Sequence, residues 1–106
     1  MDLAVAAYQL TVLFPSDERF GMTSQIRRAS ASVPANIAEG FGRDSTGAYA
    51  HHLRIAQGSL KEFETHVLLA SRVGLIDEQK ISQPMQLASE TGKMLRGLIR
   101  SIEKTA

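Results

Sequence analysis

Four basic side chains near the end of the sequence are spaced so that they can act together. Lys93, Arg96, Arg100 and Lys104 are separated by three, four and four residues, which places all four on one face of a helix. Like charges at these spacings disfavour a helix unless acids, the helix dipole or an anionic partner offset the repulsion. The phosphates of RNA or DNA are such a partner. The alternative interpretation is a solvated helix end that the dipole stabilises.

A second basic group consists of Arg27, Arg28 and Arg43. These side chains are further candidates for contact with RNA or DNA. Arg27 and Arg28 flank an apolar stripe and do not belong to it, so they are expected to lie laterally or outward on their helix. The alternative is ion pairing between helices or between subunits, as arginines in small bundles often organise packing. The candidate partners are Glu39, Glu62 and Glu64.

Five polar residues on two predicted helices are placed to form a hydrogen-bonded seam. Asn36 and Glu39 lie about one helical turn apart, and the next helix carries Ser59, Glu62 and Thr65 on one face. Such a network fixes the register of two helices and of subunit contacts. Because no nucleophile can be paired with a base in this sequence, we expect no catalytic residue and predict that the protein is not an enzyme.

The histidines and glycines do not predict a metal or phosphate-loop site. Di-iron bundles use two Glu-x-x-His motifs, whereas Glu62 and His66 are four residues apart and no second copy follows. The segment from Gly42 to Gly47 lacks the Lys-Ser/Thr and the preceding strand of a phosphate-binding loop. The sequence has no Cys, which excludes disulfides and thiolate ligands. We therefore expect no metal, no cofactor and no small-molecule substrate.

Helices must position these side chains. Apolar residues recur at spacings of three and four along the chain, which is typical of helix faces that are buried in a core. The pattern predicts helices near residues 2–14, 19–41, 45–73 and 78–104. Pro34 and Pro84 are predicted to kink the second and fourth helices. Ser45 and Asp77 are predicted N-caps, and Gly74 is a predicted left-handed C-cap.

The links between these helices are short, which favours antiparallel neighbours. A chain of 106 residues is long enough for one small core. We therefore predict a single all-α domain over residues 1–106, an antiparallel up-down-up-down four-helix bundle. No apolar run approaches the roughly 18–20 residues of a membrane span, and the acidic start is unlike a signal peptide. We expect a soluble, cytoplasmic protein with no membrane partner.

The first predicted helix is apolar on nearly every side. After Asp2, its only polar groups are those of Gln9, Thr11 and Tyr8. A helix in an isolated bundle should expose a polar face, so we expect burial on two sides and hence a homo-oligomer. The alternative is a mildly apolar surface. The predicted interface residues are Leu3, Val5, Tyr8, Val12, Leu68 and Leu69.

The string RFGMTSQIRRASASVPANIAEGFGR, Arg19 to Arg43, closely resembles the signature of the bacterial 23S ribosomal RNA intervening-sequence proteins, an S23-like family of four-helix bundles. The resemblance continues through Leu53–Ile76 and Met94–Ile102. It implies a ring-like homo-oligomer, typically a pentamer, without an established enzyme activity. Some members are encoded within insertions in 23S ribosomal RNA genes, and a related branch of retroelement accessory proteins binds nucleic acid. Ala48 stands where members usually carry Glu, so the capping box of the third helix is missing.

The net charge of the chain is only +1, so contact with nucleic acid must depend on local basic patches. We predict a non-enzymatic homo-oligomer that binds RNA or DNA through basic helix faces. The alternative is a structural scaffold that presents grooves to a partner protein and has no role with nucleic acid.

Overall fold

A computed structural model describes residues 2–18 and 21–105 as four α-helices joined by short links. The helices are α1 (Asp2–Thr11), α2 (Met22–Phe41), α3 (Thr46–Arg72) and α4 (Ser82–Thr105), with single 3-10 turns at Ser16–Glu18 and Glu78–Ile81. Both α1 and α3 pack against α2 and α4, so α1 and α3 occupy opposite corners of the bundle. The predicted all-α four-helix bundle is confirmed.

The core lies along the bundle axis and takes one face from each helix. Its largest fully buried apolar side chains are those of Phe63, Ile26, Leu53, Leu95 and Val67. α1 contributes Leu3, Ala7 and Leu10, and Phe14 follows from the link after it. No described helix is long and apolar enough to cross a membrane.

α1 ends three residues earlier than predicted. The structure places the last helical residue at Thr11, where residue 14 was expected. The amides of Leu13 and Phe14 donate to the carbonyls of Leu10 and Thr11, three residues back, which is a tightened turn. Pro15 explains this ending, because a proline disfavours helical geometry in the residue before it and supplies no amide to continue the ladder.

α2 continues through Pro34 to Phe41, as predicted. Its predicted start near residue 19 lies outside the described residues, and the described helix begins at Met22. The Met22 amide donates to the Glu18 carboxylate at 3.5 Å. That carboxylate takes the place of an N-cap side chain, which Gly21 cannot provide.

The predicted caps of α3 are present. The Ser45 hydroxyl accepts a hydrogen bond from the Ala48 amide at 3.1 Å, which satisfies one of the free amides of the first turn. Gly74 has φ of +84°, a left-handed conformation that glycine adopts without a steric penalty. The Leu75 amide then donates to the Ala70 carbonyl at 2.9 Å and closes the helix end.

α4 begins at Ser82, four residues later than predicted. The segment Glu78–Ile81 is a 3-10 turn, and the Asp77 before it makes no side-chain capping bond, so its prediction as a side-chain N-cap is wrong. Pro84 consequently lies in the first turn of α4. Because amides of a first turn have no partner within the helix, a proline there removes no hydrogen bond and the predicted kink is not required.

Candidate nucleic-acid interface

The basic row of α4 is fully displayed on the bundle surface. Lys93, Arg96, Arg100 and Lys104 are all exposed. None of them forms an ion pair with a described acidic residue. Glu103, the acid that interrupts the row, is bound by Arg54 of α3. Across residues 93–104 the row therefore keeps its positive charge.

The bundle adds two cations that sequence reasoning did not assign to this site. The ion pair of Arg54 with Glu103 fixes the register of α3 against the antiparallel α4. Lys61 follows Arg54 by seven residues and Arg96 precedes Glu103 by seven, so two turns bring these cations to the same level. We call the surface formed by Arg54, Lys61, Lys93, Arg96, Arg100 and Lys104 the basic face. Only a known helix register would have grouped Arg54 and Lys61 with the row.

The basic face explains how a nearly neutral chain can carry a strong local charge. Its six cations are accompanied by two carboxylates, those of Glu64 and Glu103. Because the whole chain has a net charge of +1, the rest of the sequence has a net charge of −3. Among the described residues, acids gather where α1 meets α2 and where α3 meets α4, as Asp17, Glu18, Asp77 and Glu78. The charge is therefore segregated.

Arg27, predicted as a nucleic-acid contact, instead joins α1 to α2. Its Nε donates to the Thr11 hydroxyl at 2.8 Å, and its guanidinium carbon lies 4.5 Å from the centre of the Tyr8 ring. The Thr11 hydroxyl in turn donates to the Ala7 carbonyl at 2.8 Å. The guanidinium therefore makes a hydrogen bond through its edge and an aromatic contact through its face, both within the chain. These contacts favour the packing interpretation.

Arg28 and Arg43 also form ion pairs within the chain, with two of the three predicted acids. Arg28 lies 2.7 Å from Glu62 across the α2–α3 contact, and Arg43 lies 2.5 Å from Glu39 one turn before it. Both arginines remain about half exposed or more. Neither belongs to the basic face of α3 and α4.

The polar seam between α2 and α3 exists, but its membership differs from the prediction. Ser59 shares a 2.8 Å hydrogen bond with Ser32, and Asn36 donates to the Ser32 hydroxyl at 3.0 Å. His52 Nδ1 lies 3.3 Å from the Asn36 side-chain oxygen. Sequence reasoning missed Ser32 and His52, which lie one turn from Asn36 and opposite it.

Three of the predicted seam residues make other contacts. Glu39 pairs with Arg43 on its own side of the turn, and the Thr65 hydroxyl donates to the Lys61 carbonyl of its own helix. Glu62 does link the helices, but through Arg28 and outside the serine–asparagine chain. Its partner Arg28 lies one turn before Ser32, the partner of Ser59, so Glu62 extends the α2–α3 seam by an ion pair.

The sequence profile of the 23S rRNA-intervening sequence protein family matches residues 1–97. The chain belongs to this family. Its fold is similar to the crystal structure of a protein of unknown function from the S23 ribosomal protein family of Bacteroides thetaiotaomicron VPI-5482, with 27% sequence identity, 92% of each chain covered and a TM-score of 0.82. No curated protein matches the sequence significantly. Because the neighbour's function is described as unknown, the likeness supports fold and family and carries no activity.

A close helix contact accounts for the glycine in the Asn36–Gly40 part of the family segment. A Cβ added at Gly40 would lie 2.9 Å from side-chain atoms of both Tyr49 and His52, and 3.2 Å from the Tyr49 carbonyl. Phe41, next in sequence, packs edge-to-face against Tyr49 with ring centres 6.2 Å apart. Only a residue without a side chain lets α2 and α3 approach this closely.

Most of the predicted interface residues of this family member are exposed in the single chain. Val12 is 71% exposed, and Val5, Tyr8, Leu68 and Leu69 are about half exposed. Leu3 is the exception, since only 5% of it is exposed and it packs within the chain's own core. Its assignment to an interface is therefore corrected: Leu3 is two residues from Val5, about 200° away around α1, and faces the core.

The three histidines, for which we expect no metal site, are His51, His52 and His66. No group of three or more potential metal ligands occurs in the residues that the structure describes. His66 Nε2 lies 3.7 Å from Glu62, while His51 and His52 pack against each other with ring centres 5.7 Å apart. These contacts belong to the outer edge of the α2–α3 contact and do not converge on one point.

Proposed function

We propose that this protein is a non-enzymatic homo-oligomer, typically a pentamer as in the resembling family, that binds RNA or DNA through the phosphate backbone. The observation that carries the proposal is the basic face, six exposed cations on adjacent helices with two carboxylates among them. Such a face attracts polyanions by releasing the counterions condensed on their phosphates.

The rigidity of the face supports contact with phosphates over contact with bases. Its cations stand on two continuous helices, and from Lys93 to Lys104 they extend over about 16 Å at the helical rise. The face includes no aromatic side chain on which an unpaired base would stack. Recognition is therefore expected to depend on backbone charge and to show little sequence preference.

The exposed apolar residues support assembly into a ring. One apolar patch, Val5, Tyr8 and Val12, lies on α1 and the residue after it, and a second, Leu68 and Leu69, lies on α3. These helices occupy opposite corners of the bundle. Two different patches on opposite sides make head-to-tail contacts, which form a ring when the rotation between subunits closes, whereas a two-fold dimer joins one patch to itself. A ring repeats the basic face once per subunit.

A salt titration of binding tests the nucleic-acid proposal. Fluorescence anisotropy of labelled RNA and DNA duplexes gives the dissociation constant at increasing salt for the unaltered chain and for Arg96→Gln with Arg100→Gln. Each lost phosphate contact lowers the slope of log K against log salt by about 1. We expect the double variant to bind more weakly and its slope to fall by about 2 per subunit engaged.

The matched control removes the same charge elsewhere. Arg72→Gln with Lys80→Gln deletes two exposed cations at the acidic end of the bundle. If both double variants weaken binding equally, net charge governs it and the basic face is not the site. If the unaltered chain binds neither duplex at low salt, the nucleic-acid function is wrong and the protein-scaffold alternative takes its place.

A further inference from the structure

Two glycines on the outer surface of α3 and α4 have no packing role within the chain. Gly58 and Gly97 are exposed and lie deep inside their helices. A Cβ added at either position would meet no described atom within 4 Å. Gly92 differs, because a Cβ there would press on Arg96 and Leu60 at 3.4 Å. Glycine is the least favourable helix-interior residue after proline, so Gly58 and Gly97 cost helix stability without serving the core.

The same pattern of cations surrounds both glycines. Gly97 follows Lys93 by four residues and precedes Arg100 by three, and Gly58 stands between Arg54 and Lys61 at the same two spacings. Gly58 also has Glu62 four residues after it, and its two cations pair with Glu103 and Glu64. Residues at these spacings are neighbours on a helix surface. Each glycine therefore forms a bare patch of helix backbone between two cations.

The bundle brings these two patches to nearly the same level. Counted from the Arg54–Glu103 ion pair, Gly58 lies four residues along α3 and Gly97 six residues along the antiparallel α4. At 1.5 Å per residue these offsets are about 6 Å and 9 Å, a difference of roughly 3 Å. The two glycines therefore lie at nearly the same level of adjacent helices.

We propose that Gly58 and Gly97 form notches that receive the phosphodiester backbone of a double-stranded nucleic acid. This inference rests on the proposed function and specifies where the polyanion is held. A phosphate at a notch lies closer to the flanking Lys or Arg pair than any surface with a side chain at that position would allow. A shorter separation strengthens the attraction of exposed charges, which salt screens over about 10 Å.

The duplex is favoured over a single strand by the shape and the chemistry of the face. Both notches are rigid helix surface, and no aromatic residue of α3 or α4 stands between the cations. Stacking on aromatic side chains is the usual source of affinity for unpaired bases. A stiff duplex presents its phosphates at fixed separations, which matches a fixed pair of notches.

Filling the notches tests this inference. Gly97→Leu and Gly58→Leu are measured for binding of a labelled RNA duplex and of one of its single strands, with thermal unfolding and light scattering on the same samples. Leucine is a good helix former, so both variants are expected to melt at a higher temperature than the unaltered chain. Their affinity for the duplex is nevertheless expected to fall, by about fivefold or more for Gly97→Leu, since the side chain lifts the phosphates off the face. The control Ala35→Leu adds the same side chain to the exposed surface of α2 and should leave binding unchanged.

The outcomes separate this inference from the function on which it rests. Loss of duplex binding in the stabilised Gly97→Leu and Gly58→Leu variants, with unchanged oligomer mass, supports the notches. If the unaltered chain binds the duplex and both leucine variants bind it equally well, or if the single strand binds more tightly than the duplex, the inference is overturned while the proposed function stands. A change of oligomer mass in the variants would instead assign the glycines to a contact between copies and overturn it. Absence of any binding by the unaltered chain overturns the proposed function itself.

Discussion

Arg27 and Arg28 are adjacent in sequence but contact different helices. Arg27 is half-buried, and its guanidinium connects the Thr11 hydroxyl and the Tyr8 ring of α1 to α2. Arg28 is 62% exposed and pairs with Glu62 on α3. A partly desolvated arginine with a hydrogen bond and an aromatic neighbour contributes more to stability than an exposed ion pair does. Arg27 therefore adds a polar contact to the core packing of α1, the shortest of the four helices.

Glutamine substitutions at these neighbours should separate the two roles. We expect Arg27→Gln to lower the free energy of unfolding by about 1–3 kcal/mol, because it removes a charged hydrogen bond and the cation–π contact. We expect Arg28→Gln to cost at most about 1 kcal/mol, the range for exposed ion pairs. Urea unfolding of both variants at one protein concentration measures the difference. Equal losses would show that the Arg27 contacts do not hold α1.

At the scale of helices, Gly40 sets the distance between α2 and α3. The contacts at Tyr49 and His52 leave no room for a Cβ, and one of the three close atoms belongs to the backbone. Backbone cannot move aside as the end of a flexible side chain can. The serine and asparagine seam just below this point depends on the same close approach, since its hydrogen bonds join the two helices at 2.8–3.3 Å.

Alanine substitutions at two helical glycines should act in opposite directions. Gly40→Ala is expected to destabilise the protein by about 1–2 kcal/mol, because the overpacking cost of about 1–3 kcal/mol exceeds the gain in helix propensity. Gly58→Ala, where nothing lies within 4 Å, is expected to stabilise it by up to about 1 kcal/mol. Thermal and urea unfolding report both signs. A stabilised Gly40→Ala variant would contradict the packing described for α2 and α3.

At the scale of the whole molecule, the proposed ring depends on two apolar patches. The patch of Val5, Tyr8 and Val12 and the patch of Leu68 and Leu69 lie on opposite corners. Since α1 and α3 run in the same direction in an up-down-up-down bundle, their C-terminal ends bring Val12 and Leu69 to one end of the molecule. Each subunit of a ring would place its α1 patch against the α3 patch of the next.

A mixing experiment checks this arrangement. Val12→Asp and Leu69→Asp are each expected to leave a monomer of about the 11.6 kDa chain mass in light scattering, because a buried unpaired charge is costly. Mixed in equal amounts, the variants still share one intact pair of patches, the α3 patch of the first and the α1 patch of the second. We therefore expect the mixture to form a dimer of twice the chain mass.

Two results would contradict the ring. If the mixture stays monomeric, the interface joins one patch to itself or lies elsewhere on the bundle. A monomeric unaltered chain at micromolar concentration would remove the oligomer altogether. Ala35→Asp, a charge added to the exposed surface of α2, is the control and should leave the mass unchanged.

Local patterns in the sequence predicted the four helices, their order and both caps of α3. Spacings of three and four, the hydroxyl of Ser45 and the left-handed Gly74 act within a few residues along the chain, so local rules sufficed. The early end of α1 before Pro15 and the place of Pro84 in the first turn of α4 also follow from local backbone geometry.

Which charged residues are free of ion pairs depends on contacts between helices. The row from Lys93 to Lys104 was visible from spacing, but its union with Arg54 and Lys61 depends on the register of α3 against α4. Arg27 and Leu3 were misassigned because their partners lie on other helices or in the core. Exposure, pairing and the space beside a glycine arise from contacts between distant residues, which helical periodicity cannot specify.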